Sequence, residues 1–229
     1  MITKDFAHYL VCLIFSFFDI IVLRRYYMKN IIVTGFEPFL GEKINPSLEV
    51  LELLPNELNG YKIVKKGLPV VFNKCFNEIP RLIKEYDPEY IIHIGQAGGR
   101  TKITPERVAI NIDDTGSVDN ENKTYKDVTI KEDGENAYFS NIPIKAIIEE
   151  LNKNLIPSAI SNSAGTYVCN NLLYNTLYYI NKNNLEIKAG FIHIPFTHEQ
   201  VLNKGNISSM SNKDIKKGIE VILGVITSE

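Results

Sequence analysis

A cysteine and a histidine stand in this chain in the contexts expected of a nucleophile and its base. Cys169 follows the small, turn-forming residues 161–166 and precedes apolar residues that recur at helical spacing over 172–180. This pattern predicts that the thiol lies at the N-terminus of a helix, where unpaired backbone N–H groups favour the thiolate. His193 follows 24 residues later, near the end of the apolar, strand-like run 187–194. A cysteine at a helix start and a histidine at a strand end point to a cysteine hydrolase.

The segments that must position these two residues alternate between strand-like and helix-like patterns from Met28 onward. The predicted strands span residues 31–34, 61–68, 90–94, 107–112, 159–160 and 187–194. The predicted helices span residues 46–54, 71–86, 142–152, 167–182 and 212–226. The alternation predicts a single α/β domain with three α/β/α layers and a mostly parallel, mixed and twisted sheet. In such folds the working residues gather on loops beyond the strand ends.

The composition excludes several classes of function. The 229 residues include 25 basic and 27 acidic side chains, for a formal net charge of -2 and without a basic stripe, which argues against a nucleic-acid partner. Cys12, Cys75 and Cys169 form an odd set with no CxxC motif, which argues against a disulfide framework or a cysteine zinc site. We therefore expect a reducing compartment and neither a metal nor another cofactor. Cys75 lies on the apolar face of its predicted helix, so we expect it to be a core residue.

Residues 1–27 form an apolar N-terminal extension that precedes the predicted domain of residues 28–229. Its apolar run, Tyr9–Leu23, is 15 residues long and is interrupted by Asp19. Spanning a bilayer takes about 20 apolar residues, so the run is short for a membrane span. Three interpretations stay open: an upstream stretch wrongly included in the reading frame, a weak membrane-associating segment formed by residues 9–23, or a helix packed on the domain.

Four segments place glycine or polar residues directly beside apolar strands or helices. They are residues 34–47, residues 95–100, residues 105–114, and the Cys169 loop together with His193. Each segment alone is weak evidence for a function. For example, the glycine-rich segment 95–100 lacks both the dinucleotide-binding and the P-loop patterns. His93 lies within an apolar strand, and we expect it to be buried and hydrogen-bonded. A metal site built from His93, His193, His198 and Glu106 fits no established spacing, and we favour His193 over His198 as the base.

Together and in this order, the motifs resemble those of a known family. They read TGFEPF at 34–39, NPS at 45–47, GQAGGR at 95–100, ERVAIN at 106–111, SNSAGTYVCN at 161–170 and GFIHIPF at 190–196. From Met28 onward the chain resembles the pyrrolidone-carboxylate peptidases (pyroglutamyl peptidase I), cytosolic cysteine peptidases that remove an N-terminal pyroglutamyl residue. The resemblance implies a catalytic triad in which Cys169 is the nucleophile, His193 the general base and acid, and Glu106 the carboxylate that orients the imidazole.

The resemblance also implies how a pyroglutamyl ring would be held. Phe36 and Phe39 match ring-contacting phenylalanines, and Tyr167 would form part of the same aromatic wall. Backbone groups near Gln96 and Val168 would bind the lactam, which is a flat, neutral ring with one N–H and one C=O. Asn45 would brace the loop. The expected partners are N-terminally pyroglutamylated peptides and further copies of the chain, commonly in a homotetramer, and the expected location is the cytoplasm.

Two positions depart from the family pattern. Leu40 replaces a glycine near the pocket, and Gly116 stands where many bacterial members carry an arginine near the active centre. These departures bear on oxyanion stabilisation and rate, and they leave the triad intact. They motivate an alternative hypothesis, in which the protein binds pyroglutamyl peptides on the same scaffold with impaired catalysis.

Overall fold

The computed structural model describes residues 28–228, so the predicted N-terminal extension lies outside the described residues. Across this part of the chain, no helix combines the length and the apolar character needed to traverse a bilayer. The strands are β1 Lys29–Phe36, β2 Glu57–Leu58, β3 Tyr61–Leu68, β4 Tyr90–Gln96, β5 Thr104–Pro105, β6 Val108–Ile110, β7 Ala137–Phe139, β8 Lys188–Ile194, β9 Phe196–Thr197 and β10 Ser209–Met210. The α-helices are α1 Pro46–Leu53, α2 Ile79–Tyr86, α3 Ile144–Lys153, α4 Val168–Lys182, α5 His198–Val201 and α6 Asn212–Ile226.

Six strands of the described chain form the main sheet, in the order β2-β3-β1-β4-β8-β5. The four central strands run parallel, whereas β2 and β5 pair antiparallel at the two edges. Two small two-stranded sheets, β6-β7 and β9-β10, lie outside it. The mixed, mostly parallel sheet predicted from the sequence is therefore confirmed.

Alternate residues of the central strands face two separate helical layers, because successive side chains of a strand point to opposite faces. Ile31 and Ile92 belong to the apolar cluster that includes buried residues of α1, α3 and α6. Ile32 and Ile91 belong to the second cluster, which includes buried residues of α2 and α4. The strands are thus buried on both faces, as their near-continuous apolar runs predict, and the three-layer α/β/α arrangement is confirmed.

The single helix predicted over residues 71–86 is interrupted in the structure. It divides into a single 3₁₀ turn, Lys74–Phe76, and the helix α2, which starts at Ile79. Asn73 has a left-handed backbone with φ 61, which cannot be part of a right-handed helix. Pro80 lacks an N–H and its ring would clash with the carbonyl four residues earlier, so a helix can begin there but cannot pass through.

Two of the predicted strands differ in the structure. Within residues 107–112 only β6 is a strand, and it pairs with β7 outside the main sheet. Residues 159–160 form no strand, and the neighbouring contacts are single bridges, Ile103 to Ser158 and Glu106 to Ser161. Both segments are too short to reveal from sequence alone which distant segment supplies their hydrogen-bonding partners.

Candidate active site

Cys169 is the second residue of α4, so it lies at a helix N-terminus as the sequence predicts. The start of this helix approaches the end of β4 closely. A Cβ atom added to Gly95 would lie 3.3 Å from the Cys169 sulfur and 2.6 Å from the Phe191 ring. Glycine at position 95 therefore leaves the space in which the thiol and the strand end meet.

His193 and Glu106 form a hydrogen-bonded pair at the adjoining strand end. His193 lies near the end of β8 and is in register with Gly95 of β4. Its Nδ1 lies 2.7 Å from Oε1 of Glu106, and the two side chains are 5% and 0% exposed. Glu106 follows the edge strand β5, and its backbone N–H donates to the carbonyl of Phe191 at 2.8 Å. Pairing between β5 and β8 therefore sets the carboxylate against the imidazole.

The Glu106 carboxylate is held in its ionised form despite burial. Burial acts to raise the pKa of Glu106, but the hydrogen bond and charge of His193, the Ser161 side chain and the charge of Arg100 together outweigh it, so the pKa lies below its ordinary range. Arg100 Nη1 lies 2.7 Å from the same Oε1 atom that His193 contacts. The other oxygen, Oε2, is buried without a hydrogen-bond partner.

Cys169 and His193 are both favoured in their neutral forms. Burial lowers the pKa of His193, and Arg100 acts in the same direction against the raising effect of Glu106. Burial, together with the Glu106 carboxylate, raises the pKa of the Cys169 thiol to about 12. The prediction that the helix start favours the thiolate is therefore wrong for this site at rest, because desolvation outweighs the helix N-terminus. Burial therefore favours a thiol and an imidazole in the resting site.

Both residues line a cavity of about 250 Å³ at the carboxyl end of the parallel strands. The lining contains eight of the nine residues singled out in the sequence, and the ninth, Glu106, lies behind His193. The eight are Phe36, Phe39, Asn45, Gln96, Tyr167, Val168, Cys169 and His193. No aspartate, glutamate, lysine or arginine side chain lines this cavity in the described chain. The site therefore suits a small, uncharged group.

Aromatic residues form one wall of the cavity. The Phe39 and Tyr167 rings lie 6.3 Å apart, and Phe72 lies edge-on to Tyr167 with 5.3 Å between the ring centroids. The Tyr167 hydroxyl donates to the carbonyl of Val118 at 2.8 Å, which ties the surface loop after β6 to this wall. Phe36, at the end of β1, is 2% exposed and its ring centroid lies 6.2 Å from that of Phe191. Contacts within the protein therefore hold this wall in place.

Asn45 and Gln96 supply polar side chains to the cavity, and both are held in place. Asn45 caps α1 by accepting from the N–H of Ser47 at 3.0 Å, and its amide donates to the carbonyl of Glu37 at 3.0 Å. These bonds hold Asn45 between the start of α1 and the loop that carries Glu37. Gln96 Oε1 accepts from the Gln200 side chain at 2.8 Å, which leaves the amide NH₂ of Gln96 available.

Three lining residues and two supporting residues were not predicted from the sequence. Val70, Gly98 and Ala164 complete the cavity lining. Arg100 and Gln200 act from behind it, through Glu106 and Gln96. Arg100 ends the GQAGGR motif, so that motif offered a signal for it. Gln200 lies in a short helix whose position the sequence pattern does not indicate.

The other two histidines of the described residues, His93 and His198, lie outside the cavity. His93 is fully buried and contacts the hydroxyls of Thr34 at 2.8 Å and Thr176 at 3.0 Å, which confirms the prediction for it. His198 Nδ1 contacts the hydroxyl of Ser209 at 2.8 Å. Among residues 28–228, no three His, Cys, Asp or Glu side chains are grouped in a way that could hold a metal ion.

Comparison with known proteins assigns the family. Residues 29–229 match the family model for pyroglutamyl peptidase. The pyrrolidone-carboxylate peptidase of Thermosipho melanesiensis is 52% identical over 200 residues, which covers 87% of this chain and 99% of the relative. That of Clostridium perfringens is 50% identical over 197 residues, with coverage of 86% and 92%.

Solved structures agree with these sequence relatives. The crystal structure of pyroglutamyl peptidase I from Bacillus amyloliquefaciens superposes with a TM-score of 0.84 at 40% identity, covering 88% of this chain and 98% of the other. The pyrrolidone carboxyl peptidase of Thermococcus litoralis superposes with a TM-score of 0.84 at 37% identity, covering 88% and 94%. The resemblance stated from the motifs is therefore confirmed: this chain belongs to the pyroglutamyl peptidase family and is a hydrolase of that family.

Proposed function

We propose that the protein removes an N-terminal pyroglutamyl residue from peptides, with Cys169 as nucleophile, His193 as general base and acid, and Glu106 as orienting carboxylate. One observation carries the proposal. Cys169 and His193 line the same small, uncharged cavity, and Glu106 is hydrogen-bonded to the far side of the imidazole. This is the arrangement that cysteine hydrolases require of a nucleophile, a base and an orienting group.

The chemistry of the cavity supports a lactam as the bound group. A free α-ammonium would need a carboxylate to replace its hydration, and the described lining contains none. A pyroglutamyl ring carries no charge, so it loses far less than an ammonium on leaving water, once its N–H and C=O are hydrogen-bonded. Gln96 and Val168 line this cavity, and backbone groups near them, with the amide of Gln96, are the proposed partners of the ring N–H and C=O.

The contact with Glu106 decides which ring nitrogen of His193 can accept the thiol proton. Glu106 is ionised and accepts only, so the Nδ1 atom that faces it carries the proton. The neutral imidazole is therefore unprotonated at Nε2, which leaves that atom able to take the thiol proton. The paired carboxylate then stabilises the imidazolium that forms.

The reaction proceeds in two halves. Nε2 of His193 takes the proton from Cys169 as its sulfur bonds to the pyroglutamyl carbonyl carbon. The C–N bond then breaks, the Nε2 proton passes to the leaving amine, and a thioester remains on Cys169. Water attacks the thioester while His193 takes a proton, and the proton returns to the departing sulfur as pyroglutamate is released. Backbone N–H groups in the first turn of α4 are the proposed partners of the negative oxygen in both halves.

The two departures from the family pattern are compatible with turnover. Leu40 is 55% exposed and adopts φ 51, and it does not line the cavity. Gly116 has open space where a Cβ would project, and it too is absent from the lining. Neither residue obstructs the thiol, so we favour a working peptidase over the alternative of a binding protein with impaired catalysis.

We also propose the assembly and location that the family resemblance implies, a homotetramer in the cytoplasm. Large apolar side chains are exposed on the described surface, among them Phe139, Leu155 and Leu202 at 68%, 89% and 77%. Such residues are available for contacts between copies. Sedimentation velocity should give the mass of four chains, and a monomeric mass at micromolar concentration would contradict the proposal.

Reporter hydrolysis tests the function, using wild type and Cys169→Ser. Wild type should cleave an L-pyroglutamyl reporter amide and leave the L-prolyl reporter intact, because the prolyl ring carries a charged amine and lacks the lactam carbonyl. Cys169→Ser should lose cleavage while its circular dichroism spectrum and melting temperature stay close to wild type. Equal cleavage by wild type and the variant would refute the assignment of the nucleophile. Binding of the pyroglutamyl compound by wild type without turnover would favour the impaired-binding alternative.

A further inference from the structure

Arg100 makes a contact that the proposed triad does not include. Its Nη1 lies 2.7 Å from Oε1 of Glu106, and the same oxygen lies 2.7 Å from Nδ1 of His193. Nη1 also donates to the hydroxyl of Thr104. The Arg100 side chain is 31% exposed, whereas that of Glu106 is fully buried. The carboxylate is thus held between a surface-accessible cation and the buried imidazole.

The loop after β4 is built to bring this guanidinium back toward the strand ends. The N–H of Arg100 donates to the carbonyl of Ala97 at 3.2 Å and closes a tight turn. Gly98 lies within this turn against Phe196, and a Cβ at position 98 would lie 2.4 Å from that ring. Gly98 and Gly99 of GQAGGR therefore allow the turn, and the arginine that ends the motif reaches the carboxylate.

The charges around His193 show what the arginine adds. The groups that face the imidazole are Glu106 from the segment after β5, Arg100 from the loop after β4, and Cys169 from α4. His193 is neutral at rest, so it cannot neutralise the buried carboxylate. Arg100 is the only one of these three groups that carries a permanent positive charge, and a buried carboxylate without a cation is strongly disfavoured.

We propose that Arg100 is a positioning residue of the reaction, which holds the Glu106 carboxylate ionised and oriented against His193 from outside the substrate cavity. This inference rests on the proposed triad. Arg100 does not line the cavity, so it acts through Glu106 and does not touch the substrate. Its charge also opposes protonation of the imidazole, which keeps His193 available as a base in mildly acidic solution.

The contact geometry predicts which substitutions are tolerated. Only Nη1 of Arg100 contacts Glu106 and Thr104, and the second carboxylate oxygen is unpartnered, so the fork of the guanidinium is not used bidentately. A lysine can present one charged donor to the same oxygen. A methionine fills similar space without charge. Arg107 is the matched control, because its Nε donates to the side chain of Asn162 at 2.8 Å and away from the triad.

The test compares Arg100→Met, Arg100→Lys and Arg107→Met with wild type over the pH range. Arg100→Met should lower kcat about 10- to 100-fold with KM within about twofold, because one charge-assisted hydrogen bond to a buried carboxylate is lost. The acid limb of kcat/KM should move to higher pH, because a positive charge near His193 is removed. Arg100→Lys should restore most of kcat and return the acid limb of kcat/KM toward its wild-type position. Arg107→Met should match wild type in both.

A second readout separates this inference from the proposed peptidase activity. The pH dependence of Cys169 alkylation by iodoacetamide, followed by peptide mass spectrometry, reports on the thiol and imidazole without any substrate. The acid limb of the alkylation profile should move to higher pH in Arg100→Met, even if no pyroglutamyl reporter is cleaved. An unchanged alkylation profile and an unchanged kcat in Arg100→Met would overturn the proposal. A loss expressed only as a raised KM would also overturn it, because it would place Arg100 on the substrate.

Discussion

Two buried histidines lie on neighbouring strands of the sheet and face the same helix, yet they have different surroundings. His93 of β4 lies between the hydroxyls of Thr34 and Thr176, and burial lowers its pKa to about 3. His193 of β8 pairs with the Glu106 carboxylate at the strand end and lines a cavity. Burial alone therefore does not make a base. A partner that can stabilise the imidazolium, and access to a ligand, distinguish His193 from His93.

The two described cysteines repeat this contrast. Cys75 is fully buried in the apolar cluster that includes α2 and α4, and burial raises its pKa far above the ordinary range. Cys169 also has a raised pKa, but it lines the cavity that contains His193. The thiol pKa does not separate the two residues. The adjacent imidazole does, because only Cys169 has a base that can remove its proton as it attacks.

The largest expected effect comes from the same substitution at the two histidines. His193→Gln should reduce kcat/KM for the pyroglutamyl reporter by about 10²- to 10⁴-fold, because general-base catalysis is lost. His93→Gln should keep kcat within a few-fold and lower the free energy of unfolding by about 1–3 kcal/mol, because buried hydroxyls lose partners. Reporter kinetics and urea denaturation measure the two quantities. A larger loss of kcat in folded His93→Gln than in His193→Gln would invert the comparison.

The next effect concerns two buried carboxylates that differ in the same way. Glu106→Gln should lower kcat by about 10²- to 10⁴-fold, because the amide cannot stabilise the imidazolium and can select the wrong tautomer. Asp113→Asn is the matched control, since Asp113 is 2% exposed but faces Asn171 at 2.8 Å and does not line the cavity. It should keep its kcat. Comparable losses of kcat in the two folded variants would show that Glu106 has no special role.

The control variant Asp113→Asn should also differ from wild type in the pH dependence of its stability. Burial raises the pKa of Asp113 from 3.8 to about 7. A carboxyl that binds its proton more tightly when folded makes the protein lose stability as pH rises between those two values. The amide that replaces this carboxyl does not titrate. The melting temperature of Asp113→Asn should therefore rise relative to that of wild type from pH 4 to pH 7, and the difference should be constant above pH 7. Melting curves over this range check it, and a constant difference would contradict it.

The protonation states of Cys169 and His193 can be measured by spectroscopy without any substrate. Because the pKa of His193 is lowered and that of Cys169 is raised, the resting pair at pH 7 should be imidazole and thiol. Thiolate absorbance near 240 nm, taken as wild type minus Cys169→Ser, should be absent at pH 7. The acid limb of kcat/KM should lie below pH 6.5, the ordinary pKa of histidine. A thiolate signal that titrates in below pH 7 would indicate a preformed ion pair instead.

The smallest expected effect on activity comes from the second cysteine. Cys75→Ala should leave kcat and KM unchanged and lower the free energy of unfolding by about 1–2 kcal/mol, because it opens a small cavity in a packed core. Denaturation and reporter kinetics on the same preparation measure both. Loss of activity in a folded Cys75→Ala variant would mean that the two thiols are not separated as described.

Local chemistry made parts of the structure predictable from the sequence. The α1 start was readable because Asn45 and Pro46 are cap and first-turn residues, and the structure shows Asn45 accepting from the N–H of Ser47. The placement of Cys169 near a helix start was readable for the same kind of reason. The alternation of apolar segments indicated the three layers, because that pattern depends only on the strand and helix periods.

Other features depend on contacts between distant residues, which spacing cannot reveal. His193 and Glu106 are 87 positions apart, and only the pairing of β5 with β8 brings them together. The residue pattern pointed to His193, but only the family resemblance named Glu106 as its partner. The contact of Arg100 was missed because it depends on the turn at residues 97–100. The thiolate prediction failed because the extent of burial at Cys169 cannot be read from the helix start alone.

We propose that Cys169 forms a covalent bond with the carbonyl carbon of a bound pyroglutamyl group. An L-pyroglutamyl chloromethyl ketone places an electrophile beside that position in the same cavity, and peptide mapping by mass spectrometry locates the adduct. We expect a single adduct on Cys169, slowed by excess pyrrolidone and lost in Cys169→Ser, with Cys75 unmodified. An inactivated enzyme that carries its adduct on another residue, with Cys169 free, would contradict it.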